Sequence, residues 1–252
     1  MIRITGDCHG DFSRFLKLSE KPYADTDYLI VCGDLGLLWD KNNNLAVTLA
    51  WLSQLPFKLL WVQGNHENYD MIAEYPVREW NGGLTRHIVD DHVILLERGQ
   101  IFTIEGKKFF TFGGARSHDI QGGILDPKDP NLAEKLLYCS ERDLPYRLDR
   151  ISWWKEEMPS YQEIEVAREN LKQVNYQVDY IITHCIFTSL QDDMGGTGVY
   201  NSNYFTDFLD TVDSMVKFRC WYFGHYHTSV AFKDEERGTR YQCLYEDIVE
   251  LY

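Results

Sequence analysis

Asp7 with His9, Asp34, Asn65 with His66, His184, and His225 with His227 each follow a short apolar run. Each offers a side chain able to bind a metal ion or move a proton. Five of the eight histidines fall in these positions. Taken as ligands, Asp7, His9, Asp34, Asn65, His184, His225 and His227 combine two carboxylates, one amide and four imidazoles. That mixture suits Mn first, then Fe or Zn, over Mg or Ca, which prefer all-oxygen shells. Seven ligands are too many for one open catalytic ion and fit two ions roughly 3.5–4 Å apart that share a bridge. Asp34, standing alone, is the natural bridging carboxylate. Two divalent ions against two aspartates leave the site positive, so it attracts a phosphate and lowers the pKa of a bound water.

In extended chain, residues two apart face the same way. Asp7 and His9 are therefore expected to converge on one ion, and His225 and His227 on one shared site. The same alternation turns Cys8 away, as a small buried hydrophobe.

The elements that must position these groups read as an α/β chain, with apolar runs bounded by turn residues alternating with helical patterns. Strands are expected at Ile2–Thr5, Tyr28–Cys32, Lys58–Val62, Asp179–Thr183 and Phe218–Phe223, each ending at a candidate residue. In open α/β sheets ligands gather at the carboxyl ends of the strands, where residues distant in sequence meet. Helices are expected around Phe12–Leu18, around Leu45–Leu52, over 161–174 and around Tyr204–Val212. Ser160 and Glu163 form a capping box for the third of these. From His87 to Phe112, Asp90-Asp91, Arg98-Gly99 and Glu105-Gly106 read as hairpin signals. Residues 113–159 are rich in Gly, Pro and charge and read as an excursion, a cap or a long surface loop, within one domain spanning 1–252. Gly195-Gly196-Thr197-Gly198 reads as a loop near the mouth of the site.

The chain has 252 residues, 44% hydrophobic and 25% charged, which excludes disorder, a fibrous repeat and a disulfide mini-protein. With 25 Lys+Arg against 39 Asp+Glu, its net charge of −14 opposes extended nucleic-acid binding. No apolar run approaches the roughly 18–20 residues of a spanning helix, and no secretory signal is read at the N-terminus. Six scattered cysteines without a C-x-x-C pair read as free thiols in a reducing cytoplasm.

Gly6-Asp7-Cys8-His9-Gly10, Gly33-Asp34, Gly64-Asn65-His66-Glu67, His184 and Gly224-His225-Tyr226-His227 together resemble the five motifs of the calcineurin-like metallophosphoesterases, in order. Ser152-Trp153-Trp154-Lys155-Glu156-Glu157 with Pro159-Ser160 is similar to a small bacterial and phage branch of that family. The resemblance implies a four-layer α/β/β/α sandwich, two central mixed sheets flanked by helices, with a dinuclear site. It implies that Asp7, His9 and His227 hold one metal, that Asn65, His184 and His225 hold the other, and that Asp34 bridges. It implies in-line attack of a metal-bridging hydroxide on a phosphate ester, with His66 protonating or stabilising the leaving oxygen. The protein Ser/Thr phosphatase branch carries Asp-Arg-Gly after the second motif. Here Leu37 stands where that branch has its Asp, and the run to Asp40 has no Arg.

The expected activity is a cytoplasmic phosphoesterase acting on a phosphorylated small molecule or nucleotide, monoester ahead of diester. The alternatives are a nucleotide phosphodiesterase or nuclease with the same site, and a metal-binding interaction scaffold. Arg116, with a fork suited to phosphate oxygens, and His118 are candidate substrate contacts. Trp153-Trp154 read as core packing ahead of base stacking. Glu67 is placed to accept from a neighbouring imidazole.

Overall fold

The computed structural model describes residues 1–18, 26–40, 43–195 and 200–251. The first half of the chain lays down six strands: β1 (Ile2–Thr5), β2 (Tyr28–Val31), β3 (Lys58–Trp61), β4 (Val77–Trp80), β5 (Gly83–Val89) and β6 (Val93–Leu96). β7 (Gln100–Ile104) and β8 (Lys107–Phe112) open a second sheet. β9 (Ile124–Leu125) and β10 (Arg147–Leu148) pair only with each other. The second sheet is completed by β11 (Tyr180–Thr183), β12 (Cys220–Phe223), β13 (Val230–Asp234) and β14 (Thr239–Cys243), and β15 (Ile248–Glu250) returns to the first.

The first sheet has the order β15-β1-β2-β3-β6-β5-β4 and the second β13-β14-β12-β11-β8-β7. Both are mixed. β1, β2, β3 and β6 run parallel, as do β8, β11, β12 and β14, with antiparallel strands at the edges. The parallel strands are buried on both faces, which explains their unbroken apolar runs.

Alternation along each strand divides the core into layers. Ile4, Ile30, Leu60 and Ile94 meet Phe102, Phe109, Ile182 and Tyr222 between the sheets. Leu29, Val31, Leu59 and Trp61 face outward onto α1 (Ser13–Lys17), α2 (Asn43–Leu52) and α3 (Tyr69–Ala73). After α4 (Leu132–Glu141), the helices α5 (Tyr161–Gln173), α6 (Thr188–Gly195) and α7 (Tyr204–Met215) cover the other outer face, against Phe110, Phe112, Ile181 and Trp221. The result is the expected four-layer α/β/β/α sandwich. The capping box at Ser160 is present: its hydroxyl accepts from Glu163 N at 3.2 Å and its N–H donates to Glu163 Oε2 at 2.6 Å.

Three local expectations are corrected. Arg98-Gly99 is not a hairpin, because β6 pairs with β3 and β5 while β7 pairs with β8, so this turn carries the chain from one sheet to the other. The start of the Gly-rich loop belongs to α6, and 196–199 lie outside the described residues. The stretch 113–159 is ordered rather than a plain loop with one short helix. It contains β9, α4, β10 and a 3-10 turn at Lys155–Glu157. All six cysteines are buried free thiols.

Candidate metal centre

The parallel register sets the site. Thr5 pairs with Val31 and Val31 with Trp61, so the segments carrying Asp7, Asp34 and Asn65 leave the first sheet at one level. Ile182 pairs with Tyr222, so His184 and His225 leave the second sheet side by side. The carboxyl edges of the two sheets face each other there, and side chains more than 200 residues apart come into contact.

The pairs Asp7/His9 and His225/His227 do not converge through extended alternation. His9, Asp34, His225 and His227 have φ of 48, 48, 72 and 46°, in the left-handed region. Tight turns aim these side chains, and strain of this kind is tolerated where the surrounding structure enforces it. Cys8 is turned away as expected: it is buried, and desolvation pushes its thiol up to about 12.

Asp7 and Asp34 are almost fully buried, and imidazoles surround them. Asp7 Oδ2 lies 3.3 Å from His227 Nε2 and 3.7 Å from His9 Nε2, and these two nitrogens face each other at 3.0 Å. Asp34 Oδ2 lies 3.4 Å from His184 Nε2 and 3.9 Å from His9 Nε2. Ligand atoms of Asp7, His9 and His227 lie within 4.8 Å of one another, as do those of Asp7, Asp34 and His184. Asp7 is thus common to both groups, and Asp34 reaches toward both as well. Two buried carboxylates among converging imidazole nitrogens, without a hydrophobic filler, suit a pair of divalent ions.

Tautomers follow from the surroundings. His184 Nδ1 donates to Cys32 O at 2.7 Å, which leaves Nε2 to face Asp34 and Asn65 Oδ1, the latter at 3.0 Å. Burial opposes the charged form of His184, but Asp34 and Asp7 outweigh it and push its pKa up to about 9. His225 is buried with its ring 5.0 Å from that of His184. Desolvation, then the His184 charge, hold it neutral, well below the usual range.

Glycine sets the closeness of this packing. A methyl group at Gly64 would land on the Asp34 carboxylate, and one at Gly224 on that of Asp7. The Gly-Asn-His and Gly-His pairs therefore let backbone and carboxylate touch. His66 N donates to Asp34 Oδ1 at 2.7 Å and His225 N to Asp7 Oδ1 at 2.9 Å.

The other candidates are dispersed around this centre. The His66 ring lies 5.3 Å from that of His9 and 6.4 Å from Trp39. The His118 ring stands 5.3 Å from that of His225, and exposed Arg116 lines the same polar cleft as His118. Trp154 is core, as expected, packed edge-on against Trp39 at 5.7 Å with its Nε1 donating to Asp70 Oδ2 at 2.9 Å. Glu67 does not accept from an imidazole; it is buried and accepts from Leu35 N at 3.0 Å, fixing the turn that follows Asp34.

Four residues of the 113–159 segment reach the centre without having been picked out from the sequence. Asn65 Nδ2 donates to Ser117 Oγ at 3.3 Å. Ser117 donates in turn to Glu157 Oε2 at 2.6 Å, and its N–H to Glu157 Oε1 at 2.9 Å. Arg147 pairs with Asp119, and its Nη2 comes within 3.5 Å of His66 Nε2. Glu157 closes the Ser152–Glu157 run and Ser117 stands between Arg116 and His118, but nothing in the sequence singles out Asp119 or Arg147.

No curated protein matches the chain. Among solved structures it is similar to a phosphopantetheinyl hydrolase from Mycobacterium tuberculosis, 17% identical, over 97% of this chain and 89% of that one, with a TM-score of 0.49. No helix among the described residues is long and apolar enough to cross a membrane. The family model of the calcineurin-like phosphoesterases matches residues 1–229, spanning every motif around the two buried aspartates. The chain belongs to that family of metal-dependent hydrolases of phosphate esters.

Proposed function

We propose that the protein is a manganese-dependent phosphoesterase of the cytoplasm that acts on a phosphorylated small molecule, with monoesters the favoured class. Residues 1–252 form one domain in this reading, and 113–159 form a cap over the site. The observation that carries the reading is the convergence of Asp7, Asp34 and the imidazoles of His9, His184 and His227 at the facing strand ends.

Asp7, His9 and His227 would hold one ion and Asn65, His184 and His225 the other, with the Asp34 carboxylate available to both. Two divalent ions there supply Lewis acidity toward the phosphoryl oxygens and lower the pKa of water. The chain does the rest. Cys32 O fixes the His184 ring, Ser117 fixes the Asn65 amide, and the two aspartates are held against backbone N–H groups. His66, held neutral chiefly by burial, stands beside the centre to exchange a proton with the leaving oxygen. The leaving group lies in the cleft of about 360 Å³ beside His66, walled by Phe12, Leu37, Trp39 and Leu45.

A second reading, a phosphodiesterase, is favoured by a second cleft. A polar hollow of about 270 Å³ next to His225, lined by Arg116, His118, Gln121 and Asn201, leaves room for a second substituent. Initial rates with Mn²⁺ on p-nitrophenyl phosphate and bis(p-nitrophenyl) phosphate decide between them. Faster monoester cleavage is expected; faster diester cleavage supports the second reading. Two bound metals without turnover of either ester, or of a panel of phosphorylated metabolites, defeat both and favour the scaffold.

A further inference from the structure

Arg147, within residues 113–159, brings its guanidinium to His66. It lies on β10, a two-residue strand held by pairing with β9. Its side chain is four-fifths buried, and its Nε donates to Asp119 Oδ1 at 3.1 Å while Nη2 donates to Asp119 Oδ2. This side-on, two-point pairing fixes the plane of the guanidinium. The second edge of Nη2 points at His66 Nε2, 3.5 Å away. Nη1 has no hydrogen-bond partner among the described residues.

The pair is not needed to dock the segment. Asp119 and Arg147 both belong to residues 113–159, so their ion pair does not tie that segment to the sheets. Docking is carried by other contacts: Trp154 Nε1 and Arg150 Nη1 on the Asp70 carboxylate, at 2.9 and 2.8 Å, and Arg98 Nη2 on Glu156 O at 2.8 Å. Arg150 also pairs with Glu156 at 2.9 Å. What the Arg147–Asp119 pair achieves is to hold a planar cation, with free N–H donors, beside His66 at the edge of the metal-ligand cluster. A fixed fork with free donors matches the oxygens of a phosphoryl group better than a mobile cation does, because less side-chain freedom is lost on binding.

We propose that Arg147, aligned by Asp119, donates hydrogen bonds to the phosphoryl oxygens of the substrate, so that residues 113–159 complete the binding site. The proposal rests on the phosphoesterase reading for the identity of the ligand, and its test separates the two. Asp119 is a positioning residue here, since it acts only through Arg147.

The experiment measures inorganic phosphate binding to the Mn²⁺-loaded full chain by calorimetry, and its competitive inhibition of p-nitrophenyl phosphate hydrolysis. The parent is compared with Arg147→Ala, Arg147→Lys and Asp119→Asn, with bound metal counted for each. Loss of a charge-assisted pair of hydrogen bonds is expected to weaken phosphate binding by roughly 10- to 100-fold in Arg147→Ala. Arg147→Lys, with the charge but without the fork, should lose less, and Asp119→Asn should fall between Lys and the parent. All should keep the parent's metal content. Should Arg147→Ala fail to fold, Arg147→Lys and Asp119→Asn decide. Phosphate affinity within twofold of the parent in the folded variants overturns the proposal, and so does weakened binding that tracks loss of metal. If the parent turns over no ester yet binds phosphate in an Arg147-dependent way, the phosphoesterase reading fails and Arg147 keeps its role. If the parent is active and phosphate ignores Arg147, the reverse holds.

Discussion

Ser117 Oγ accepts a hydrogen bond from Asn65 Nδ2 at 3.3 Å, which leaves the amide of Asn65 only one way round: its oxygen faces His184. Glu157 fixes Ser117 in turn, by accepting from both its hydroxyl and its N–H. Groups that orient a ligand without touching the metal commonly change affinity by about 10- to 100-fold when removed. Ser117→Ala is therefore expected to weaken the more loosely held metal by about tenfold while leaving the circular dichroism spectrum intact. A metal titration of the apo protein checks it. Equal affinity in both proteins would mean that Asn65 needs no partner.

Gly64→Ala tests the closeness of backbone and carboxylate. The added methyl group overlaps Asp34 Oδ1 and Asp34 N, and neither has room to retreat in the packed turn. Overpacking of this kind costs about 1–3 kcal/mol. The variant should melt earlier and bind fewer than two metals per chain. Gly106→Ala is the control, because a methyl there meets nothing within 4 Å. It should lose about 1 kcal/mol, from its φ of 73°, and keep its metals.

Asp119 gives the acid limb of stability a specific source. Burial tends to raise its carboxyl, but the Arg147 hydrogen bond and charge outweigh that and hold it below its ordinary 3.8. A carboxylate with a depressed folded pKa stabilises the fold above its unfolded pKa, and that contribution is lost as the pH falls through the folded value. The side chain is 35% exposed, so the contribution is discounted to about 1 kcal/mol or less. Urea melts of Asp119→Asn should lie below the parent at pH 6, and the two should converge as the pH falls below about 3.8. A gap that does not begin to close as the pH falls from 6 to below about 3.8 would assign the loss to packing instead.

Trp154 fixes the 113–159 segment against Trp39 and Asp70, on the outer layer of the first sheet. It is 1% exposed, packs against Trp39 and donates to Asp70. Trp154→Ala should cost about 3–5 kcal/mol by the cavity it leaves. Trp154→Phe keeps most of the packing and loses the N–H, at a cost of about 1 kcal/mol. Both numbers come from chemical denaturation, and equal costs would show that the Asp70 contact, not the cavity, dominates.

The gathering of the candidate ligands was legible because its signals are local. A parallel strand buried on both faces must be an apolar run, and a turn rich in Gly, Asp, His and Asn must end it, so the level at which Asp7, Asp34 and Asn65 emerge follows from pattern alone. The left-handed φ of His9, His225 and His227 was not legible, since non-glycine residues reach it only under tertiary constraint. Nor was the link between Arg147 and His66. It depends on how β9, β10 and Trp154 dock, across 81 residues of sequence separation, and no periodicity in 113–159 announces it. Arg98-Gly99 misled for a related reason: a tight turn has the same composition whether the next strand joins the same sheet or the facing one.

The cleft beside His66 makes the assignment of leaving group and phosphate separable. Phe12, Leu37, Trp39 and Leu45 wall it together with the polar Asp40 and Asn44, and Thr48 of α2 also lines it. Thr48→Trp narrows the cleft from the helix side, and because His9 also lines it, bound metal is counted alongside. With p-nitrophenyl phosphate, whose aryl group would need that space, kcat/KM should fall by about tenfold or more, on the scale of a pocket made too small. Inorganic phosphate has no leaving group, so its inhibition constant should stay where it is in the parent. If both quantities move together, the variant has disturbed the metals. If neither moves, the ester oxygen leaves by the other side, through the polar hollow beside His225, and the roles assigned to the two clefts exchange.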